Sequence, residues 1–266
     1  MSSALSVPVG LREPKRWNWT RVSSFGFTAL ALAFLVALLL LFLWESAPVW
    51  RQEGLGYLAG TRWFYREHQF GSLPMLYGSA VVSLIALSLA APFGIGAAIF
   101  IAEYLPAPFR LGVKITVELL AGIPSVVYGL LGILFLRNWV YHALAPFDPL
   151  SGDTLLTAGL LLAVMVLPTV MTLSDDALRG VPRAQRAAAR GLGLTRTETV
   201  FSISIPQAAP GIFAAVLLGL GRALGETIAV FLVVGRQDNQ WTRNIFSLQP
   251  WIQAGQTLPA SSVVRK

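Results

Sequence analysis

Long stretches without charged residues place the strongest limit on how this sequence can fold. Residues 25–44 carry no charge, and residues 71–102 carry none either. A helix needs about 20 apolar residues to cross the hydrocarbon core of a bilayer. Only 12% of the 266 residues are charged, whereas roughly 25% is usual for a soluble domain. Lipid must therefore solvate much of the chain, and we predict a polytopic membrane protein.

The fold class that we predict is all-α, a bundle of transmembrane helices with five spans. The predicted spans are residues 25–44, 72–102, 115–136, 154–174 and 207–235. Gly122, Pro124, Gly129 and Gly132 make the third span irregular.

Three further segments complete the predicted organisation. Residues 1–24 form an N-terminal tail, residues 175–206 a loop between spans four and five, and residues 236–266 a C-terminal segment. The last of these contains no apolar run long enough to cross a bilayer. With the N-terminus in the cytoplasm, eleven basic residues fall inside and six outside. This bias predicts a cytoplasmic N-terminus and tail and an extracytoplasmic C-terminal segment.

Composition also excludes several functions. The net charge of +7 comes from arginines between apolar stretches, which is the pattern of orientation signals at a membrane rather than of a nucleic-acid surface. Cysteine is absent and the two histidines lie apart in sequence, so we predict no metal site. No lysine lies in a Gly-Lys-Ser/Thr sequence, and a P-loop for ATP is therefore excluded.

The loop at 175–206 carries the densest group of basic residues. Pro182 is a helix-start signal, and Gly191 and Gly193 are helix-stop signals. Arg183, Arg186 and Arg190 recur at helical spacing between them and would form one basic face. We therefore predict a short surface helix, with Ala187 and Ala188 as small contact residues.

Arg222 and Glu226 are two charges inside the fifth predicted span. They are four residues apart, so on one helix they lie on the same face and can pair. A lone charge at the centre of a span costs about 2.5–3.5 kcal/mol. The pair can be a structural salt bridge or an anion site, because guanidinium is a natural partner of phosphate. Lys114 and Glu118, also four apart, are expected to form an ion pair at the membrane surface.

The run from Arg186 to Gly193, followed by Ile205-Pro206 and Pro210-Gly211, resembles the "EAA" loop of ABC importer permeases. The resemblance implies a coupling helix that docks on a cytoplasmic ATPase. The residues that match this surface are Arg183, Arg186, Ala187, Ala188, Arg190 and Gly193. Ala187 stands where the family has the glutamate that opens the motif, which weakens the polar part of the expected contact.

Residues 120–129 and 219–227 resemble phosphate-specific (Pst-type) ABC importer permeases, and residues 223–230 are more similar to the PstC-type subunit than to its PstA-type partner. The resemblance implies the MetI-like permease fold, in the bacterial inner membrane. It also implies that Arg222 and Glu226 line the phosphate path, with Ser125 and Tyr128 as further candidates. A sixth span would then be expected.

The same resemblance implies the partners. These are a PstA-like second permease subunit, a PstB-like ATPase dimer that binds ATP and Mg²⁺, a PstS-like extracytoplasmic binding protein and the lipid bilayer. This chain itself would hold no cofactor. Three alternatives remain: a permease for molybdate or sulfate, an ion-coupled secondary transporter, or a truncated assembly or regulatory subunit that does not transport.

Overall fold

The computed structural model describes residues 19–54, 56–61, 63–64, 69–147, 152–235 and 257. It separates into two compact units, Met1–Leu55 and Gly56–Lys266. Apart from Thr257, the predicted C-terminal segment 236–266 lies outside the described residues.

The first unit contains one long helix, α1, from Trp19 to Glu53. This helix includes the whole predicted span 25–44 and begins inside the predicted N-terminal tail. Apolar side chains such as Phe25 and Leu43 are exposed along its length. A helix that is apolar on all sides requires an apolar environment, as the prediction of a membrane span implies.

The second unit is built from ten further helices among its described residues. They are α2 Gly56–Ala59, α3 Leu73–Ile99, α4 Ala107–Ala121, α5 Ser125–Leu131, α6 Arg137–Leu144, α7 Leu155–Arg179, α8 Arg183–Gly191, α9 Arg196–Thr199, α10 Ile205–Gly225 and α11 Ile228–Val233.

Short irregular elements connect these helices. Three are π-helical turns, at Phe100–Tyr104, Gly132–Leu136 and Val200–Ser204, and a 3₁₀ turn covers Ala145–Phe147. Strands β1 (Trp63–Phe64) and β2 (Gln69–Phe70) form a two-residue antiparallel ladder. Helices make up nearly all the regular structure of the described residues, which confirms the all-α fold class.

Four helical stretches among the described residues are long and apolar enough to cross a membrane. They are Trp19–Arg51, Leu73–Tyr104, Leu155–Arg179 and Arg196–Gly225. The third span, predicted as one helix over 115–136, is broken: α4 and α5 meet at Gly122–Pro124, and the helical segments on the two sides are bent by 86°. Proline lacks an amide hydrogen and disfavours helical backbone at the residue before it, so the helix ends there.

The fifth predicted span, 207–235, is also not continuous. Helix α10 ends at Gly225, Glu226 has extended backbone (φ −74°, ψ 121°), and α11 begins at Ile228. The prediction that Arg222 and Glu226 share one helical face was therefore wrong. A non-helical break within a membrane span is tolerated only where protein covers it or a cavity lies beside it.

Helix α7 is the centre of the second unit. Leu162, Met165, Val166 and Val170 are buried along it, and it packs against both α3 and α10. Close approach depends on small residues: a Cβ added to Gly219 of α10 would lie 2.7 Å from Val170 Cγ2. Gly129 of α5 is equally tight, since a Cβ there would lie 2.6 Å from Leu232 Cδ1 of α11. Small residues at helix crossings are typical of membrane bundles.

Candidate functional site

Arg222 lies half-buried in the last turns of α10 and faces α7. Its Nη1 donates a hydrogen bond to Thr169 Oγ1 at 3.1 Å. Thr169 is ten residues from the end of α7 at Arg179, about 15 Å along a helix axis, which is the middle of this helix. None of the ion pairs among the described residues includes Arg222. A full positive charge beside the middle of α7 thus has a neutral hydroxyl as its partner.

Glu226 occupies the break between α10 and α11. Its Oε1 accepts a hydrogen bond from the backbone N–H of Ala229 at 3.4 Å, so the carboxylate satisfies a free amide at the start of α11. It does not pair with Arg222. Arg222 is therefore bonded to α7 and Glu226 to α11, although the two residues are only four apart in sequence.

A small pocket with polar groups in its lining and a cavity volume of about 10 Å³ lies beside this break. Ser79 and Ser83 of α3, Glu226 and Thr257 supply its polar groups. The Thr257 hydroxyl is buried without a hydrogen-bond partner, and the Ser83 side chain is buried as well. Sequence reasoning missed the two serines, although hydroxyls four residues apart in a span without charges were a usable signal.

The other two predicted path residues lie at the break of the third span. Ser125 is the first residue of α5. Tyr128 is buried, and its hydroxyl donates to the carbonyl of Leu120 at 2.9 Å, which joins the two sides of the break. Tyr128 shares a buried apolar cluster with Ala223 and Ala229, so α5 packs near the Arg222 region without adding a charge to it.

The predicted coupling helix is present as α8, and its end depends on Gly193. The N–H of Leu194 bonds to the carbonyl of Ala189, and the N–H of Gly193 to that of Arg190, which is a Schellman arrangement. Gly193 has φ +90° and open space where a Cβ would lie. Backbone conformation rather than crowding therefore requires glycine there.

The basic face predicted on α8 is divided by the structure. Arg183 and Arg190 are exposed, as are Ala187 and Ala188. Arg186 instead turns inward: its Nη2 lies 3.2 Å from Glu103 Oε1, and it donates a hydrogen bond to the carbonyl of Leu178.

Helix α9 is attached to the same place as Arg186. Arg196 donates to the backbone carbonyl of Glu103, and its guanidinium lies 5.3 Å from the ring centroid of Tyr104. The Tyr104 hydroxyl lies 3.2 Å from Thr197 Oγ1. A capping box between Thr195 and Glu198 starts α9. Sequence reasoning missed Glu103, because nothing local to residue 103 indicates partners 83 and 93 residues further along.

Lys114 provides a second correction. Its Nζ lies 2.9 Å from Asp176 Oδ1 on α7, and the predicted pair with Glu118 is not formed. Asp176 on the neighbouring helix fits the surface position predicted for Lys114 as well as Glu118 does. Lys114, Arg186 and Arg196 therefore gather at the end of the unit where α3 and α7 finish.

Comparison with known proteins defines the class. The model of the family "Binding-protein-dependent transport system inner membrane component" matches residues 90–263. That range contains the break at Gly122–Pro124, α7, α8 and the break at Glu226. The chain belongs to this family of membrane components.

The relatives of the chain are more specific. The phosphate transport system permease protein PstC 1 of Mycobacterium tuberculosis is 39% identical over 201 residues, 70% of this chain and 60% of the relative. PstC of Xylella fastidiosa is 34% identical over 248 residues, 86% and 76% of the two chains. PstC of Haemophilus influenzae is 32% identical, with 88% and 81% covered. The match spans about 60% of the length of the mycobacterial relative.

Proposed function

We propose that this chain is the permease subunit of an ATP-driven importer and that inorganic phosphate passes Arg222. The proposal rests on the hydrogen-bond partner of Arg222. It lies beside the middle of α7, and its hydrogen bond goes to the neutral Thr169. An unpaired charge at such depth costs about 2.5–3.5 kcal/mol on insertion scales. An anionic substrate would offset this cost, and guanidinium presents donors in the geometry that phosphate oxygens accept.

Glu226 supports phosphate over sulfate or molybdate. Near neutral pH phosphate still carries a proton, whereas sulfate and molybdate carry none. A carboxylate can accept a hydrogen bond from a protonated oxyanion, but it repels one that is fully ionised. Glu226 lines the small pocket that Ser79 and Ser83 also line. The relatives named as phosphate transport permeases agree with this preference.

The energy for transport would come from another polypeptide. No P-loop sequence is present in the chain, so we assign ATP and Mg²⁺ to an ATPase dimer. Its docking surface on this chain would be the exposed side of α8, with Ala187 and Ala188 in the contact and Arg183 and Arg190 at its edge. Small side chains allow close approach, and the flanking arginines would attract acidic groups.

The other partners follow from this arrangement. A second permease subunit would complete the path, and an extracytoplasmic binding protein would deliver phosphate. The end of the second unit with α8 would face the cytoplasm, because Arg110, Lys114, Arg186 and Arg196 gather there. The N-terminus would face the cytoplasm on separate grounds, namely the count of eleven basic residues inside against six outside.

The test is complementation in a phosphate-starved bacterial host that lacks its own importer. The chain, expressed with the three partners, is expected to restore ATP-dependent uptake of labelled phosphate that excess sulfate or molybdate does not inhibit. Equal inhibition by sulfate would contradict the phosphate assignment. The ATPase should co-purify with the intact chain and not with a variant lacking residues 183–196. Co-purification of that variant would remove α8 as the docking element.

A further inference from the structure

The π-helical turn after α3, Phe100–Tyr104, holds the most deeply buried ion pair of the described residues. Side chains of Glu103 and Arg186 are 4% and 16% exposed, with 3.2 Å between Oε1 and Nη2. The hydrogen bond from Arg186 to the Leu178 carbonyl adds a second inward contact. Because a buried charge that loses its partner is strongly destabilising, Arg186 cannot turn outward without cost. It is therefore an anchor of α8 and not part of the exposed docking surface.

A second contact ties the far side of the loop to the same turn. Arg196, at the start of α9, donates to the Glu103 carbonyl and lies over the ring of Tyr104. The helix on each side of Gly193 is thus attached to one π-helical turn, Phe100–Tyr104. Two attachments fix both the position and the rotation of the loop, which one attachment would not do.

This turn continues directly from α3, and α3 reaches the polar pocket. Ser83 and Glu103 are 20 residues apart on a helical stretch that runs from Leu73 to Tyr104, about 30 Å along the axis. A displacement at Glu103 would therefore reach Ser79 and Ser83 beside Glu226. Continuous helices can carry energetic coupling between distant sites, and α3 contains Pro92 without being interrupted there.

We propose that Glu103, Arg186 and Arg196 form a clasp that transmits movement of the coupling helix α8 to α3, and through α3 to the polar pocket. They are positioning residues, since none of them contacts the pocket. The inference rests on the proposed function for its readout in transport, but the attachment itself can be measured without substrate.

The experiment uses membranes that contain the chain together with its three partners. The variants are Glu103→Gln and the charge exchange Glu103→Arg with Arg186→Glu. Trypsin cleavage after the exposed Arg183 and Arg190, on parallel membranes from which the ATPase is left out because it would cover α8, reports attachment of the loop in the absence of substrate. Phosphate imported per ATP hydrolysed reports coupling. Lys114→Gln is the matched control, because it breaks an ion pair at the same end that does not include α8.

Glu103→Gln is expected to raise the cleavage rate and to lower phosphate per ATP, each about 5- to 10-fold. The charge exchange should recover part of both losses, while Lys114→Gln changes neither by more than about twofold. Unchanged cleavage in Glu103→Gln would overturn the clasp. Faster cleavage with normal phosphate per ATP would overturn the role of the clasp in coupling. A fall in transport that matches a fall in the amount of chain inserted in the membrane would overturn it as well. If the wild-type chain imports no phosphate while cleavage responds as expected, the proposed function fails and the attachment stands.

Discussion

The charges that attach the loop of α8 and α9 and the charges at the break after α10 are partnered in opposite ways. Glu103 is buried, Arg186 is half-buried and paired with it, and Arg196 is bound to the same turn. Arg222 and Glu226 lie close in sequence and are not paired; one bonds to a hydroxyl and the other to a backbone amide.

This difference separates charges that the chain neutralises itself from charges that can still attract a ligand. A charge that is already neutralised by its own chain gains little from a ligand, because binding must first break the existing pair. A charge bound to a neutral group keeps most of its attraction for an ion. The break between α10 and α11 produces this state, since it moves Glu226 off the face that Arg222 occupies. In the proposed function, the break thus keeps both charges available to the anion.

The largest expected effect is that of Arg222→Ala. Losing hydrogen bonds from a charged donor to an anion, each worth about 1.5–3 kcal/mol, should lower phosphate uptake about 100-fold. Uptake of labelled phosphate, corrected for the amount of inserted chain, measures this. Thr169→Val is the matched control: it removes the hydroxyl that holds Arg222 and should leave most uptake. Wild-type uptake by Arg222→Ala would place the anion path elsewhere.

Glu226→Gln should change selectivity more than rate. Without the negative charge, a fully ionised oxyanion is no longer repelled, and the preference for phosphate over sulfate should fall about tenfold. Competition between labelled phosphate and unlabelled sulfate measures the ratio. Glu118→Gln, an exposed carboxylate on α4, should leave the ratio unchanged. If Glu226→Gln keeps full selectivity, Glu226 does not discriminate between the anions.

Gly193→Ala tests the attached loop of α8 and α9 by changing backbone conformation alone. A left-handed backbone costs a residue with a Cβ about 1–2 kcal/mol, so the Schellman end of α8 should open more often. Amide hydrogen exchange of residues 189–194 reports this opening. Gly191→Ala is the control, because its Cβ would also meet nothing within 4 Å while its φ is ordinary. Equal exchange in the two variants would rule out the conformational role of Gly193.

The smallest expected effect is that of Lys114→Gln. The pair with Asp176 is largely exposed, with side chains 31% and 58% accessible, and such pairs contribute about 0.2–1 kcal/mol. Denaturant unfolding of the purified chain in detergent should show a small loss of stability that disappears at high salt. A loss as large as that from breaking Glu103–Arg186 would remove the distinction between surface and buried pairs.

Residue types along the sequence predicted the apolar spans well, but the ends of the helices less well. Helix α7 was expected to end near Ser174, where the apolar run ends, yet it continues to Arg179. Asp175 and Arg179, four residues apart, form an ion pair at 2.7 Å and extend it. Hydropathy marks what lipid can cover, whereas a helix ends only where the backbone can no longer continue.

Glycine had two different uses that the sequence alone did not distinguish. Four interruptions were expected in the third span, but only Gly122 and Pro124 lie at the break. Gly129 and Gly132 instead allow α5 and the following turn to pack closely, since a Cβ at Gly132 would lie 2.9 Å from Val233 Cγ1. Which of these uses applies depends on the neighbouring helix, and that neighbour lies about 100 residues away in sequence.

The sequence by itself determined the membrane location, the all-α class and the short helix in the basic loop, and it predicted a site at Arg222 and Glu226. Those properties follow from local composition and spacing, which hydropathy and helical periodicity express directly. Only the tertiary structure decided which charge meets which. It paired Lys114 with Asp176 and Arg186 with Glu103, and it separated Arg222 from Glu226. Ion pairs form between groups that packing brings within a few ångströms, and sequence separation does not fix that distance.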